Sequence, residues 1–353
     1  MGVLAVYGKN VQNMRSVEGD SVGFMENIVK QVLILCGKST IALGILYWLV
    51  RNDYLDLRLL MNISWSVRTV GILAGAVSLI IVAILLLSWR LHYLLQQQSV
   101  YVSVREATSF TLIGALFGSI LPGLISGDII KAIYLCGSAT NQRSKSVSVV
   151  IIDRIIGMYS LILLGGIASM ASQLSAISAA PAGLLMVLSG SALAATVGLF
   201  AMILITKTEL YFRITKMLSR RLGNLVSAFA MSCRCSRVIL VAICISLISH
   251  GMVVLCFYAM ALLLGDALTL TTHFVVNPLA MAMNVIPLTP GGIGITEGAF
   301  AYLYNWCGSQ QGAAIGLMGR LVQYFVFSVG GIAAILSIRL NIRNLVTASL
   351  TDN

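Results

Sequence analysis

Two similar stretches, 168 residues apart, carry the strongest structural signal in this chain: Leu121-Pro-Gly-Leu-Ile-Ser-Gly-Asp128 and Thr289-Pro-Gly-Gly-Ile-Gly-Ile-Thr-Glu297. Each places a Pro-Gly break inside an apolar segment, with a carboxylate six or seven residues after the proline. An arginine in a further apolar run follows each proline, Arg154 after 32 residues and Arg320 after 30. The chain is therefore interpreted as a diverged internal repeat. Paired Gly/Pro-interrupted apolar segments in two halves of a membrane protein indicate a substrate site, because broken helices expose their ends at membrane depth.

The composition predicts a membrane protein. Apolar residues make up 58% of the chain and charged residues only 10%, with a mean hydropathy of +0.95. There are too few polar side chains to cover a soluble particle of this length, so we expect one polytopic domain whose surface faces lipid. The net charge of +11 comes from Lys and Arg beside apolar runs. Positive-inside bias explains that arrangement, and we expect no nucleic-acid partner.

Six long apolar stretches predict full membrane spans. Each is close to or above the roughly 20 residues that a helix needs to cross a bilayer core. The predicted spans are Gln31–Val50, Thr69–Ser88, Val147–Met170, Ala182–Ile205, Val238–Leu264 and Ala313–Ile338.

Two further apolar stretches, Ala107–Cys136 and Phe274–Trp306, contain the Pro-Gly breaks. A helix cannot run undisturbed through such a break, because proline removes a hydrogen-bond donor and glycine loosens the backbone. Each stretch therefore predicts two half-helices of about 13 to 15 residues, too short to span singly. The predicted fold is an all-α polytopic membrane protein, with about six full transmembrane helices and two re-entrant broken-helix hairpins arranged as an inverted repeat.

The distribution of Lys and Arg predicts the orientation. The basic groups beside the spans share one side of the membrane only if both broken segments are re-entrant. The loops predicted on the other side carry few charges, at 171–181, 265–273 and 305–312. Residues 51–68 fit less well, because they carry three arginines against two aspartates. On this topology both termini are cytoplasmic, the first hairpin enters from the cytoplasm and the second enters from outside.

This orientation divides the chain into a cytoplasmic segment, a transmembrane domain and a cytoplasmic tail, at 1–30, 31–339 and 340–353. We expect a multi-pass protein of the cell inner (cytoplasmic) membrane. Residues 207–237 are basic, and their apolar and basic side chains fall on opposite faces of a helix. That pattern predicts a basic interfacial segment on an anionic leaflet, with a solvated loop helix as the alternative.

The sequence contains no pattern typical of a metal site or a cofactor site. The three histidines are isolated, the seven cysteines lack metal-ligand spacing, and the glycines at 292–294 lack the context of a dinucleotide fingerprint. We expect no catalytic residues, no metal and no cofactor.

Six ionisable side chains fall inside apolar context: Asp128, Lys131, Asp153, Arg154, Glu297 and Arg320. A charge at bilayer depth costs about 3 kcal/mol on insertion scales, so such groups face a cavity or find partners. The neighbours Asp153 and Arg154 point about 100° apart on a helix, so we expect their partners to come from elsewhere. Either Asp128/Arg154 and Glu297/Arg320 are purely structural ion pairs, or the cations and half-helix N-termini form a pocket for a phosphate.

The two break motifs, the Asp153-Arg154 pair and Arg320 with Tyr324 resemble the lysylphosphatidylglycerol synthetase membrane-region family, the flippase-like domain of the multiple-peptide-resistance factor. The resemblance covers roughly residues 30 to 340. Pro-Gly-Gly-x-Gly-x-x-Glu is its most specific part, while Lys131 stands where an arginine is common in the family. After Ile338 about fifteen polar residues remain, so the aminoacyl-transferase domain is expected to be missing and the chain is not expected to be an enzyme.

The resemblance implies a flippase-like domain that moves a lipid or a lipid-linked glycan precursor between leaflets. The hypothesis is that Arg154 and Arg320 hold the phosphate of an anionic phospholipid or a polyprenyl-phosphate-linked lipid, and pair with Asp128 and Glu297 when the site is empty. The alternatives are a non-transporting membrane scaffold subunit of a lipid or glycan assembly pathway, or a lipid-headgroup enzyme. A homo-oligomer is left open. The candidate site comprises Gly123, Gly127, Asp128, Lys131, Asp153, Arg154, Pro290, Gly291, Gly292, Glu297, Arg320 and Tyr324.

Overall fold

The computed structural model describes residues 36–121, 126–138, 142–175, 180–205, 236–285 and 288–351. All regular elements within these ranges are helices, which confirms the predicted all-α fold. Gly123, the interfacial segment 207–237 and the segment 1–30 lie wholly or almost wholly outside the described residues. The helices are α1 (36–51), α2 (Leu57–Met61), α3 (Val67–Gln97), α4 (Val104–Ile120), α5 (Ser126–Ser138), α6 (Arg143–Ser175), α7 (Ala182–Ile205), α8 (Ser236–Leu264), α9 (Leu270–Ala282), α10 (Ile295–Trp306) and α11 (Gly312–Thr351).

Five of these helices, α3, α6, α7, α8 and α11, are long and apolar enough to cross a membrane. They coincide with five of the six predicted spans. The sixth predicted span, Gln31–Val50, corresponds to α1 over the residues that the structure describes. Several helices extend past the predicted bounds, because about 20 residues is only the length needed to cross the apolar core. The last helix continues through Thr351, beyond the predicted start of a tail at residue 340.

Exposed side chains on the helix bundle support a membrane environment. Aromatic residues lie exposed near both ends of the spans, with Trp65, Tyr302 and Trp306 towards one end and Trp89 and Tyr101 towards the other. Tyr and Trp are enriched at both membrane–water interfaces, because their rings are apolar while their N–H or O–H groups remain hydrated. Leu, Ile, Val and Phe side chains dominate the exposed surface between them.

Both predicted breaks separate two short helices. The first hairpin consists of α4 and α5, on either side of residues 122–125. With 17 residues, α4 is about 26 Å long, which is less than the hydrocarbon thickness of about 30 Å. The two helices pack directly against each other, and a Cβ atom on Gly127 would lie 2.2 Å from the Gly114 carbonyl oxygen. This close approach requires glycine.

The second hairpin consists of α9, a 3₁₀ turn at Met283–Val285 and α10. Tyr304, near the end of α10, holds the two helices together at the end of the hairpin away from the break. Its hydroxyl contacts His273 Nδ1 at 2.6 Å and donates to Asn277 Oδ1 at 2.7 Å. His273 lies in the first turn of α9 and Asn277 near its middle, so α9 and α10 run in opposite directions. The segment between the helices therefore lies at the closed end.

The two halves of the chain, α3–α6 and α8–α11, make corresponding contacts with each other. Each contact is found again when the helix of one half is replaced by its counterpart in the other. Helix α4 packs against α11 and, correspondingly, α9 packs against α6. The two helices that precede the hairpins, α3 and α8, pack against each other. This exchange of contacts is the pattern that two repeats related by a two-fold axis produce.

Glycine pairs make both of the cross-half contacts close. In α6, a Cβ on Gly165 would lie 3.4 Å from the Pro278 side chain of α9. In α11, a Cβ on Gly331 would lie 2.7 Å from the Leu116 side chain of α4. Small residues let helices approach closely in membranes, where packing rather than hydrophobicity drives association. The equivalent helices of the two halves thus use the same packing device.

The connecting segments gather at opposite ends of the bundle. At one end, a buried cluster joins the end of α3 with the starts of α4, α6 and α8 and the end of α5. At the other end, a cleft of about 920 Å³ is bordered by residues from the segments 50–58, 265–268 and 308–311. Residues 51–58, part of the segment 51–68 that fitted the charge pattern least well, therefore lie beside two of the sparsely charged loops.

Candidate functional site

The closed ends of the two hairpins meet at a cavity of about 330 Å³. They are in contact, since a Cβ on Gly291 would lie only 2.8 Å from the carbonyl oxygen of Ser119. The structure thus brings residues of both break motifs together around one space. The cavity wall includes Gly127, Asp128, Lys131 and Arg154 from the first half and Asn284, Thr289, Gly291, Gly292, Arg320, Gln323 and Tyr324 from the second.

Not every predicted site residue reaches this wall. Asp153, Pro290 and Glu297 lie behind the cavity lining, although Asp153 and Glu297 contact residues that form it. The two carboxylates therefore act on the cavity through Lys131 and Arg320. Asn284 was not predicted from the sequence, because an asparagine in an apolar stretch has no fixed spacing to the motif that follows.

Arg154 and Asp128 form the ion pair that faces the cavity. Arg154 Nη1 donates to Asp128 Oδ2 across the gap between α6 and α5. The two side chains are 31% and 19% exposed, far more than the other ion-paired groups of the site. Arg154 Nε is buried and has no hydrogen-bond partner among the described residues. This pair is therefore the most accessible charged element of the site.

Asp153 faces away from Arg154 and binds two cations, so each residue of the adjacent pair has partners elsewhere, as predicted. Its Oδ1 atom accepts from Arg90 Nε at 2.8 Å and its Oδ2 atom accepts from Lys131 Nζ at 3.2 Å. Arg90 Nη1 also donates to Ser246 Oγ at 2.6 Å. The predicted span Thr69–Ser88 leaves Arg90 just outside the membrane core, whereas α3 continues for two further turns beyond Arg90 and the side chain is buried.

Arg320 joins the two sides of the second break. Its Nε atom lies 3.1 Å from Glu297 Oε1, its Nη1 donates to the Gly291 carbonyl and its Nη2 donates to Asn284 Oδ1, both at 2.9 Å. Glu297 also accepts from the Gly294 amide at 2.6 Å, which caps the first turn of α10. Asn284 precedes the break and Gly291 follows it. Arg320 thereby fixes the closed end of the second hairpin.

The Pro-Gly-Gly segment requires glycine at two positions. Gly291 and Gly292 have φ angles of +57° and +72°, a region that residues with a side chain rarely adopt. A Cβ on Gly292 would also lie 2.3 Å from Asn284 Oδ1. The double glycine therefore allows the backbone to turn tightly beneath Arg320. The Gly291 carbonyl then faces the Arg320 guanidinium group.

Three residues that line the cavity each carry a buried side-chain atom that can donate a hydrogen bond: Arg154 Nε, Thr289 Oγ1 and Tyr324 Oη. Neither Arg154 Nε nor Thr289 Oγ1 has a hydrogen-bond partner within the part of the chain that the structure describes, and the Tyr324 hydroxyl has beside it the donor Arg320, which cannot accept its proton. Buried polar atoms in folded proteins are nearly always paired, so water or a ligand that accepts hydrogen bonds can complete the hydrogen bonding of these three side chains. A phosphate group, with several acceptor oxygens, meets that requirement.

The ion pairs around the cavity contain four cations and three carboxylates, so this group has an excess of one positive charge. The cations are Arg90, Lys131, Arg154 and Arg320, and the carboxylates are Asp128, Asp153 and Glu297. A buried excess charge is costly without a counter-charge. The described residues contain no group of three His, Cys, Asp or Glu side chains that could hold a metal ion. An anion is the complementary ligand.

Long apolar helices around two broken hairpins define a polytopic membrane protein. A comparison with family models identifies the lysylphosphatidylglycerol synthase TM region over residues 32–331. Because this match covers most of the sequence, the chain belongs to that family, and the resemblance seen in the break motifs is confirmed. No curated protein matched the sequence.

Proposed function

We propose that this protein moves a phosphate-bearing membrane lipid, either an anionic phospholipid or a polyprenyl-phosphate-linked lipid, between the leaflets. The observation that carries the proposal is the cavity at the hairpin ends, with three donors that lack an acceptor in the described structure and an excess positive charge in the surrounding ion pairs. A headgroup phosphate is the ligand that satisfies both features. The proposed activity needs no chemical change to the lipid.

The size of the cavity favours a lipid headgroup. A space of about 330 Å³ accommodates a small polar headgroup but not two acyl chains. The surrounding helices present Leu, Val, Ile and Phe side chains outward. The acyl chains would therefore stay in the bilayer while the headgroup crosses inside the protein, where the cations offset its charge.

The Arg154–Asp128 pair supplies a means of accepting the phosphate. Its guanidinium already faces the cavity and is only partly buried, so a phosphate can replace the carboxylate as its partner. Arginine binds phosphate with a planar fork of donors, which favours this exchange. When the headgroup leaves, Asp128 pairs with Arg154 again, so that the cation is not left alone at membrane depth.

We further propose that both hairpins are re-entrant, with the first opening to the cytoplasm and the second opening to the outside of the inner membrane. The charge pattern places the termini in the cytoplasm. The structure supports this arrangement, because the segments that the charges assign to opposite sides gather at opposite ends of the bundle. The helix contacts between the halves are consistent with it, because they exchange as two halves related by a two-fold axis require.

Cysteine labelling tests the orientation. Ser144→Cys and Gln310→Cys, each in a variant without native cysteines, place a thiol on an exposed residue at either end of the bundle. A membrane-impermeant maleimide added outside intact cells should label position 310 and not position 144, and cell lysis should make both reactive. Labelling of position 144 in intact cells would overturn the proposed orientation.

Photo-cross-linking tests whether a phosphate-bearing lipid occupies the cavity. Gln323→benzoylphenylalanine places the probe in the cavity wall, and Phe325→benzoylphenylalanine places it on the exposed face of the same helix as a matched control. We expect adducts at position 323 to be enriched in anionic or polyprenyl-phosphate lipids relative to position 325. A scaffold without transport would yield no lipid at position 323, or the same lipid mixture as the control, and either result contradicts the proposal.

A further inference from the structure

We infer that the cations that bind the phosphate come from the first half of the chain alone, and that Arg90 and Asp153 are positioning residues that hold Lys131 in the cavity wall. This inference rests on the proposed function and specifies its substrate site. It differs from the symmetric site that the sequence predicts, in which Arg154 and Arg320 share the phosphate.

The two halves differ at the positions around Lys131. Three residues after the carboxylate of each motif come Lys131 and Phe300, and one residue before each arginine come Asp153 and Gly319. Arg90 lies 32 residues before Pro122, and Phe257 lies 33 residues before Pro290. The first half thus has Arg90, Asp153 and Lys131 where the second half has Phe257, Gly319 and Phe300.

In the structure the second set of residues makes contacts that correspond to those of the first set. Phe257 and Phe300 stack with ring centroids 5.0 Å apart, and a Cβ on Gly319 would lie 2.6 Å from the Phe257 ring. Gly319 leaves room for the Phe257 ring beside α11. This contact corresponds to the contact of Asp153 in α6 with Arg90 in the first half. An ion-paired cluster in one half is therefore replaced by an apolar stack in the other.

The excess positive charge follows this asymmetry. Arg154 with Asp128 is a neutral pair, and so is Arg320 with Glu297. The cluster of Arg90, Asp153 and Lys131 has two cations and one carboxylate, so the excess belongs to it. Lys131 is the member of the cluster that lines the cavity.

Arg90 shares the Asp153 carboxylate with Lys131, and this sharing defines its role. Asp153 alone would neutralise Lys131, and without Asp153 the flexible lysine stem would let the ammonium group move away. Because Arg90 occupies Oδ1 at 2.8 Å and Lys131 occupies Oδ2 at 3.2 Å, the ammonium group is held in place without being neutralised. Arg90 is buried and is not part of the cavity wall, so it acts only through Asp153.

Arg320 is less available to a ligand than Arg154. All three nitrogen atoms of its guanidinium group contact protein acceptors, at distances of 2.9 to 3.1 Å. Arg154 combines a cavity-facing pair with an Nε atom that has no partner among the residues described. Arg154 and Lys131 are therefore the two cations that can turn to a phosphate.

Lipid binding to two variants of Lys131 tests the inference. Lys131→Gln removes the excess charge and leaves Asp153 paired with Arg90, so the fold should be retained. In phosphatidylcholine nanodiscs containing spin-labelled phosphatidylglycerol, we expect Lys131→Gln to weaken binding of the labelled lipid at least about tenfold. Lys131→Arg keeps the charge and should bind within about twofold of wild type. Spin-labelled phosphatidylcholine, with no net charge, should be affected less than about twofold by either variant.

Further experiments distinguish the possible results of this test. Inorganic phosphate that displaces spin-labelled phosphatidylglycerol as effectively as an excess of unlabelled lipid would indicate a site for free phosphate, and would overturn lipid recognition. If Lys131→Gln binds phosphatidylglycerol as tightly as the wild-type protein does, and the wild-type protein exchanges lipid between the leaflets, only the asymmetric site is overturned. Absence of both binding and exchange in the wild-type protein would instead contradict the proposed function. Arg90→Gln should weaken phosphatidylglycerol binding by a similar factor although it does not line the cavity, and wild-type binding in this variant would exclude the positioning role.

Discussion

Arg320→Ala is expected to lower the free energy of unfolding by about 3–5 kcal/mol, because it leaves a buried carboxylate without its cation. Glu297 is fully buried, and its Oε1 atom has only Arg320 as a close partner among the described residues. The same substitution removes the donors to the Gly291 carbonyl and to Asn284, which lie on opposite sides of the break. Equilibrium unfolding in mixed detergent micelles, followed by tryptophan fluorescence, measures the effect.

Two further variants show whether the loss arises from the orphaned charge. Combining Arg320→Met with Glu297→Gln should recover part of the lost stability, since removing both partners leaves no unpaired charge. Arg154→Ala, at the equivalent position of the first half, should cost only about 1 kcal/mol, because its pair with Asp128 is partly exposed. A cost for Arg154→Ala equal to that for Arg320→Ala would show that the two pairs are structurally alike.

The helices and both breaks could be predicted because their causes are local. Proline and glycine interrupt a helix wherever they occur together, and the length of an apolar run indicates whether a helix can cross the bilayer. Five predicted spans accordingly coincide with helices of sufficient length, and both break motifs separate short helices that pack together. The predicted half-helix lengths were too short for α4, because its first turn begins at a capping box formed by Ser103 and Glu106 outside the apolar run.

The partners of the buried charges could be predicted only in part. Pairing of Asp128 with Arg154 and of Glu297 with Arg320 followed from the repeat, which places them at matching positions. The contact of Arg90 with Asp153 depends on how α3 packs against α6, which no local pattern specifies. The glycine pairs did leave a signal, since they follow the two arginines after 11 and 10 residues, at Gly165-Gly166 and Gly330-Gly331.

The symmetry of the motifs also concealed a difference between the halves. The sequence signal is strongest where the backbone must break, and there both halves need glycine and a carboxylate. At Lys131 and Phe300 the backbone has no such requirement, so the side chains are free to diverge. An ion-paired cluster and an apolar stack can each fill the space behind a hairpin, and the structure shows one of each.

The double variant Asp128→Asn with Arg154→Gln is expected to abolish lipid exchange while it leaves the protein folded. Removing both partners of the cavity-facing pair leaves no orphaned charge, and both side chains are partly exposed, so the stability should change little. Arg154 is one of the two cations that can turn to a phosphate, and a neutral side chain in its place cannot compensate a phosphate drawn out of water. Retention time on size-exclusion chromatography and unfolding in mixed micelles provide the check on folding.

Leaflet exchange in proteoliposomes measures this expectation and tests lipid transport itself. Vesicles containing a fluorescent phosphatidylglycerol are treated with dithionite, which bleaches only the outer leaflet. Wild-type protein should make the inner-leaflet fraction bleachable over time, while the double variant, reconstituted at equal amount, should behave like protein-free vesicles. Wild-type vesicles that retain their inner-leaflet fluorescence as protein-free vesicles do, or a double variant that exchanges lipid at the wild-type rate, would contradict phosphate handling at this cavity.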